Sequence, residues 1–243
     1  MIYLANNDED VNTIINMSKL KKTLLSPSMM CADFLHLEDE LSVLKSEGVD
    51  MLHIDIMDGQ YVPNFTLGTD LAKTMYNFSG ITLDYHLMVE QADDTIELFT
   101  EIPGSYVTFH PETSRHPVRT IQKIRDKGCK PGIAIDPAIS IETIKHLLPL
   151  VDMVCVMTVN PGYAGQALIP FCLDKIEELK AWRTLHKADF LIEVDGNVSW
   201  ENVPEMIRVG ADVLVLGTSS VFNKNESRHD SYERLRKTIH TSL

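Results

Sequence analysis

The residues best suited to chemistry stand together at His53-Ile54-Asp55-Ile56-Met57-Asp58-Gly59. Apolar residues alternate with His53, Asp55 and Met57 and a glycine closes the run, the pattern of a short buried strand ending in a loop. Side chains on a strand face the same way every second residue, so these three project together near the strand's C-terminal end. An imidazole and a carboxylate on one buried face suit a divalent metal or a proton transfer. The plainer reading is a mutually hydrogen-bonded pair that only holds a core together. The surrounding elements decide between them.

From residue 23 onward, short apolar runs alternate with longer amphipathic ones. The pattern predicts strands over 23–26, 51–57, 82–88, 106–110, 131–135, 153–158, 190–194 and 213–216. It predicts helices over 37–47, 70–78, 93–101, 118–127, 141–148, 170–185, 199–209 and 232–241. Gly48, Gly104, Gly128 and Gly210 stop helices, Ser140 and Ser199 sit where N-caps belong, and Pro117, Pro170 and Pro204 fall in first turns. Eight strand–helix units with buried-type strands indicate a parallel sheet closed into a (β/α)8 TIM barrel over 23–243, preceded by a polar N-terminal extension over 1–22. An open doubly wound sheet is the alternative, but no GxGxxG follows the first strand.

Active sites in such barrels sit at the C-terminal ends of the strands. Those ends carry Ser28, His53 with Asp55, His86, His110, Asp136, Thr158, Asp195, and Thr218 with Ser219. His53, Asp55, His86 and Asp195 give two imidazoles and two carboxylates, a set suited to one divalent ion, with Zn²⁺, Mn²⁺, Fe²⁺ and Co²⁺ all compatible. Glu193 shares the face of Asp195 and is placed to orient a ligand, while Asp58 and Asp136 read as turn or supporting residues. Three loops at the same end look built for phosphate: Asn160-Pro161-Gly162-Tyr163-Ala164-Gly165-Gln166, Gly196-Asn197, and Gly217-Thr218-Ser219. Small residues there let backbone amides approach an anion.

Composition narrows the partners. A net charge of −13 argues against a nucleic-acid scaffold or an anionic membrane surface, though not against a phosphorylated substrate held by backbone amides. At 243 residues and 44% hydrophobic, the chain can bury a full core. Cys31, Cys129, Cys155 and Cys172 form no CxxC pair, which points away from a disulfide framework or a zinc ribbon and toward a reducing, cytoplasmic setting. No apolar run reaches transmembrane length.

The segments SPSMMCADF, HIDIMDGQYVPN, DYHLMV, VMTVNPGYAGQ, IEVDGNV and VLGTSSVF resemble the ribulose-phosphate 3-epimerase family, in the family's order, over about residues 23–225. The resemblance implies a metal-dependent barrel that inverts C3 of a ketose phosphate and works as a homo-oligomer. It implies metal ligation by His53, Asp55, His86 and Asp195, and acid/base roles for Asp55 and Asp195. It also implies substrate contacts from Ser28, His86, a methionine cushion of Met57, Met88 and Met157, and the three loops. Two carboxylates flanking C3 can remove a proton from one face and return one to the other, through an enediolate that a Lewis acid stabilises by several kcal/mol.

Within the family, His110-Pro111-Glu112-Thr113, the stretch from Ile169-Pro170 to Leu173-Asp174-Lys175, and Glu178-Leu179-Lys180-Ala181-Trp182-Arg183 resemble the D-allulose-6-phosphate 3-epimerases. So does Asp195-Gly196-Asn197, where pentose-phosphate members usually have DGG, and Gly217-Thr218-Ser219-Ser220-Val221-Phe222 departs from their GSAIF-like ending. This favours D-allulose 6-phosphate/D-fructose 6-phosphate over D-ribulose 5-phosphate/D-xylulose 5-phosphate. Ala164 also departs from the family loop, which commonly has Gly there. Other readings fit less well. A phosphate-binding decarboxylase needs DxKxxD, and a Schiff-base aldolase needs a strand-end Lys that 153–158 does not offer. A metal-dependent hydrolase could use the same ligands, and a non-catalytic sugar-phosphate binder would have no need of both carboxylates.

Overall fold

The computed structural model describes residues 22–242. The expected extension over 1–22 therefore lies almost wholly outside the described residues. The strands are β1 (Leu24–Pro27), β2 (Met51–Asp58), β3 (Phe65–Thr66), β4 (Thr82–Met88), β5 (Tyr106–Phe109), β6 (Lys130–Ile135), β7 (Met153–Met157), β8 (Leu191–Asp195) and β9 (Val213–Leu216). They form one sheet in the order β1-β9-β8-β7-β6-β5-β4-β2-β3. Every pairing is parallel except the short β2–β3 hairpin. The ring closes between β1 and β2 through a parallel bridge from Ser28 to His53, with the Asp50 amide donating to the Leu25 carbonyl at 3.0 Å. The result is an eight-stranded (β/α)8 barrel with one hairpin added at its C-terminal mouth.

Helices α1 (Leu37–Ser46), α2 (Thr69–Ser79), α3 (Ala92–Thr95), α4 (Pro117–Asp126), α5 (Ile141–Ile144), α6 (Cys172–His186), α7 (Val203–Val209) and α8 (Arg228–Ser242) connect the strands. The period of two sorts each strand into two cores. Leu52, Ile54 and Ile56 of β2, Leu83, Tyr85 and Leu87 of β4, and Ile192 and Val194 of β8 face the helices and join one large apolar cluster. Full burial of each Leu, Ile or Val there contributes roughly 1.5–3 kcal/mol. The alternate residues fill the barrel in layers. Met51, Met153 and Val213 plug the bottom, while Ser26, His53, Asp84, Thr108, Cys155 and Glu193 are buried polar or polarizable groups above them. Asp55, His86, His110 and Asp195 come next. Gly132 of β6 is required in the interior, because a Cβ there would lie 2.1 Å from the Thr108 hydroxyl.

Several boundaries differ from expectation for physical reasons. The helix expected over 93–101 is one α turn followed by a 3-10 turn at Ile96–Phe99, and Pro103 then blocks further helix. That expected over 141–148 ends at Ile144, and Pro149 leaves only a 3-10 turn at Leu148–Leu150. Ser199 does not cap a helix: its hydroxyl donates to Glu201, its carbonyl closes a turn onto Asn202 and Val203, and α7 begins only at Val203. Helix α8 starts earlier than expected, at Arg228, because the Ser227 hydroxyl accepts from the Asp230 amide as an N-cap.

Candidate active site

The register of β2 and β4 sets His53 beside Asp84 and Asp55 beside His86. Strand β8 brings Glu193 and Asp195 to the same interior. One ligand atom from each of His53, Asp55, His86 and Asp195 can be chosen so that all four lie within 4.8 Å of one another. His53 Nε2 is 3.5 Å from Asp55 Oδ1 and 3.9 Å from Asp195 Oδ2; His86 Nδ1 is 3.5 Å from Asp195 Oδ2 and 3.9 Å from Asp55 Oδ1. Both histidines are fully buried, and these two nitrogens have no hydrogen-bond partner among the described residues. Buried polar atoms are nearly always satisfied, so two orphans aimed at one point between two carboxylates fit a divalent cation.

Electrostatics agree. Burial works against an imidazolium at His53, but Asp55 and Asp84 overcome it and its pKa is raised well above the ordinary value. The same carboxylates would neutralise a metal ion that took the proton's place. Burial lowers the pKa of His86 and keeps the ring neutral. For Asp55, burial pushes upward, but His53, His86 and the Ser28 hydroxyl, which donates at 2.6 Å, bring the carboxyl below its usual range.

Around this set lies a second tier of contacts. His53 Nδ1 sits 2.7 Å from Asp84 Oδ2, which also accepts from the Ser26 hydroxyl at 2.8 Å. Burial and the neighbouring Asp84 carboxylate push Glu193 well above the usual carboxylate range. His86 Nε2 meets His110 Nε2 at 3.0 Å, and His110 Nδ1 faces Asp136 Oδ1 at 3.1 Å and Glu112 Oε1 at 3.7 Å. Burial lowers the pKa of His110, but Asp136 and Glu112 raise it further, so the net shift is upward. The Tyr61 hydroxyl donates to Glu112 at 2.9 Å and Asp136 at 3.3 Å. Lys175 holds the Asp136 loop through its carbonyls, at 2.8 Å for Asp136 itself. Asp58 accepts three backbone amides and serves its turn.

Above the carboxylates opens a cleft lined by Ser28, Asp55, Asp195, Met57, Met88 and Met157, and by all three Gly-containing loops. Gly162, Tyr163, Ala164 and Gly165 form one wall; Gly196, Asn197, Gly217, Thr218 and Ser219 form another. Met30 and Cys31 also line it and were not singled out from the sequence. His53 and His86 lie beneath the floor and do not line the cleft. No Lys or Arg among the described residues lines it, so an anion there would be held by backbone amides and hydroxyls. Gly196 is needed: its φ is +115°, and a Cβ would lie 2.9 Å from the Val159 amide nitrogen. Asn197 takes the left-handed region at φ +45°, which Asn tolerates, and its side chain is tied to the Gln166 carbonyl and to Asn202.

Of the segments that favoured a hexose phosphate, 110–113, 169–175 and 178–183 do not line the cleft, whereas Asp195-Gly196-Asn197 and Gly217-Thr218-Ser219 do. Glu112 points to Tyr61, and Arg183 of α6 pairs with Asp212 at the opposite end of the barrel. Two residues with clear roles in the geometry escaped the sequence reading. Asp84 precedes His86 by two and so shares its face, the same spacing as His53 and Asp55; Tyr61 carries no such signal.

The ribulose-phosphate 3 epimerase family profile matches residues 24–222. Ribulose-phosphate 3-epimerase 1 of Cupriavidus necator is 41% identical over 203 residues, covering 82% of this chain and 83% of its own. Ribulose-phosphate 3-epimerase of Escherichia coli strain K12 is 38% identical over 207 residues, covering 84% of this chain and 91% of its own. Among solved structures, a mutant tryptophan synthase α-subunit from Pyrococcus furiosus superposes with a TM-score of 0.62 at 14% identity, over 90% of this chain and 98% of that one. Thiamine phosphate pyrophosphorylase from Pyrococcus furiosus does so with a TM-score of 0.57 at 13% identity, over 92% and 98%. These two speak to the barrel alone. No helix among the described residues is long and apolar enough to cross a membrane. The profile and the relatives together, matching on the strands that carry the His/Asp cluster, show that the chain belongs to the ribulose-phosphate 3-epimerase family.

Proposed function

We propose that this isomerase inverts C3 of D-ribulose 5-phosphate to give D-xylulose 5-phosphate, and the reverse, using Asp55 and Asp195 as its two acid/base groups. The observation that carries the reading is the convergence of these carboxylates on one cleft floor, beside the unpartnered His53 Nε2 and His86 Nδ1. His53, Asp55, His86 and Asp195 would hold one divalent ion, which, when bound, supplies Lewis acidity to the carbonyl beside C3. One aspartate takes the C3 proton and the other returns a proton to the opposite face, and the roles swap with direction. Ser28, donating to Asp55 Oδ2, keeps that carboxylate ionised and oriented. Met57, Met88 and Met157 give soft, non-titrating contact to a planar intermediate. The amides and hydroxyls around Gly196, Gly217, Thr218 and Ser219 receive the phosphate.

The pentose substrate is preferred because the relatives carry that name and because three of the hexose-like segments, 110–113, 169–175 and 178–183, do not line the cleft. One extra carbon is worth only about 1–3 kcal/mol in discrimination, so activity on both sugars is expected. The test is kcat/KM for D-ribulose 5-phosphate and D-allulose 6-phosphate on one metal-loaded sample, with solvent deuterium traced into C3. A tenfold preference for D-allulose 6-phosphate would reverse the substrate, whereas no deuterium at C3 would sink the two-carboxylate mechanism.

A further inference from the structure

His110 follows β5 directly, is fully buried, and takes no part in the proposed proton transfer. Its ring stacks on that of His86, with centroids 5.2 Å apart and planes 26° apart, and the two Nε2 atoms are 3.0 Å apart. At that distance the pair can share only one proton, since two N–H groups would collide and two lone pairs would repel. The other nitrogen of His86 decides where the proton sits. Nδ1 faces Asp55 and Asp195 without a hydrogen-bond partner. To offer a lone pair there, the neutral ring must carry its hydrogen on Nε2. His110 Nε2 is then the acceptor, which leaves the His110 hydrogen on Nδ1, on the side of the Asp136 carboxylate at 3.1 Å and Glu112 at 3.7 Å, near enough for their charge to favour it though neither makes a well-aligned hydrogen bond. Tyr61 donates to both of these carboxylates and holds them in place.

We infer that His110 is a positioning residue for His86: it accepts the His86 Nε2–H and so keeps Nδ1 free as a ligand atom, while the negative charge of Asp136 and Glu112 favours the Nδ1–H tautomer of His110 in turn. His110, Glu112 and Asp136 are themselves close enough to hold a cation. Proton counting argues against that use, because a cation on His110 Nδ1 would move its hydrogen to Nε2, against the His86 N–H. The two cation positions exclude each other. The inference rests on the proposed metal role of His86.

The tautomers can be read directly by long-range ¹H–¹⁵N correlation spectra of the Zn²⁺-loaded, ¹⁵N-labelled protein. The expected result is His86 protonated on Nε2 and His110 on Nδ1. A His110 protonated on Nε2, or on both nitrogens, overturns the inference, and this measurement needs no variant to fold. Zn²⁺ affinity by chelator competition gives the second readout. His110→Leu should weaken binding roughly 10–100-fold, and His110→Gln, whose carbonyl can still accept the His86 hydrogen, should recover most of the loss. Wild-type affinity in the Leu variant overturns this inference alone. A wild-type protein that binds no divalent cation overturns the metal reading and this inference with it.

Discussion

At the N-terminal end of the barrel, Asp50, Asp152 and Asp212 each stand one residue before a strand, and each accepts a hydrogen bond from a backbone amide or an arginine. Asp50 accepts from the Leu25 amide at 3.0 Å, Asp152 from Arg125 at 2.8 Å, and Asp212 from the Ile192 amide at 2.8 Å and from Arg183. At the C-terminal end the same residue type has different neighbours. Asp55 and Asp195 sit beside imidazole nitrogens that have no hydrogen-bond partner. A satisfied carboxylate locks strands together, and a cluster left short of partners is a place prepared for something else. The difference lies in what surrounds each carboxylate.

If that division is right, substitutions at the two ends should fail in different currencies. Asp55→Asn or Asp195→Asn, assayed at saturating metal, should cut kcat by roughly 10²–10⁴, the usual worth of a positioned acid or base, with a circular-dichroism spectrum like the wild type's. Retention of more than about a tenth of kcat, a loss of only about 1.4 kcal/mol, would break the comparison. Asp212→Ala should do the reverse. It strands Arg183, whose side chain is only 14% exposed, and should cost about 3–5 kcal/mol in denaturant unfolding. The kcat of the surviving folded protein should stay near the wild-type value.

The barrel was legible because strand burial leaves a period of two that survives in the sequence, and each predicted strand lies within a residue or so of the observed one. The short connectors after β4 and β6 were not, since a few apolar residues ahead of Pro103 or Pro149 fit an α turn and a 3-10 turn equally well. His53, Asp55, His86 and Asp195 could be picked out because each is an ionisable residue near a strand's C-terminal end. The spacing of Asp84 from His86 put it on the same face, but its pairing with His53, and the His86–His110 contact, could not be read. Their meaning depends on the register of β4 against β2 and β5, a non-local fact that no single strand records. Tyr61 depends further on its loop, which packs Val62 against Gly162 and ties Asn64 to the Gly162 carbonyl at 3.2 Å.

Between the two ends lies Asp84, buried at mid-barrel and bonded to His53 Nδ1 and Ser26. Its Oδ2 is engaged like the lower aspartates, its Oδ1 has no hydrogen-bond partner among the described residues, and it aims a residue of the upper set. Asp84→Asn should therefore weaken divalent-metal binding about 10–100-fold, measured by chelator competition, while kcat at saturating metal falls far less than in Asp55→Asn. Equal losses in both would remove the distinction between holding a ligand and acting on substrate.

The smallest effect expected is on Cys31, which lines the cleft above Asp55. Burial, and then the negative charge of Asp55, push its thiol up to about 11. The thiolate is the reactive form, so at pH 8 the thiol should react with iodoacetamide about 100-fold more slowly than an ordinary cysteine of pKa near 8.5. The sign of the second cause gives the sharper test. Asp55 raises the pKa by disfavouring a neighbouring anion, so Asp55→Asn in metal-free protein should lower it and speed alkylation, with the rate still below that of a free thiol because burial persists. Peptide mapping after timed alkylation assigns the rate to Cys31 and separates it from the buried Cys129, Cys155 and Cys172. An unchanged rate would mean that burial alone governs the thiol and that the uncompensated charge of the upper end does not reach the cleft wall.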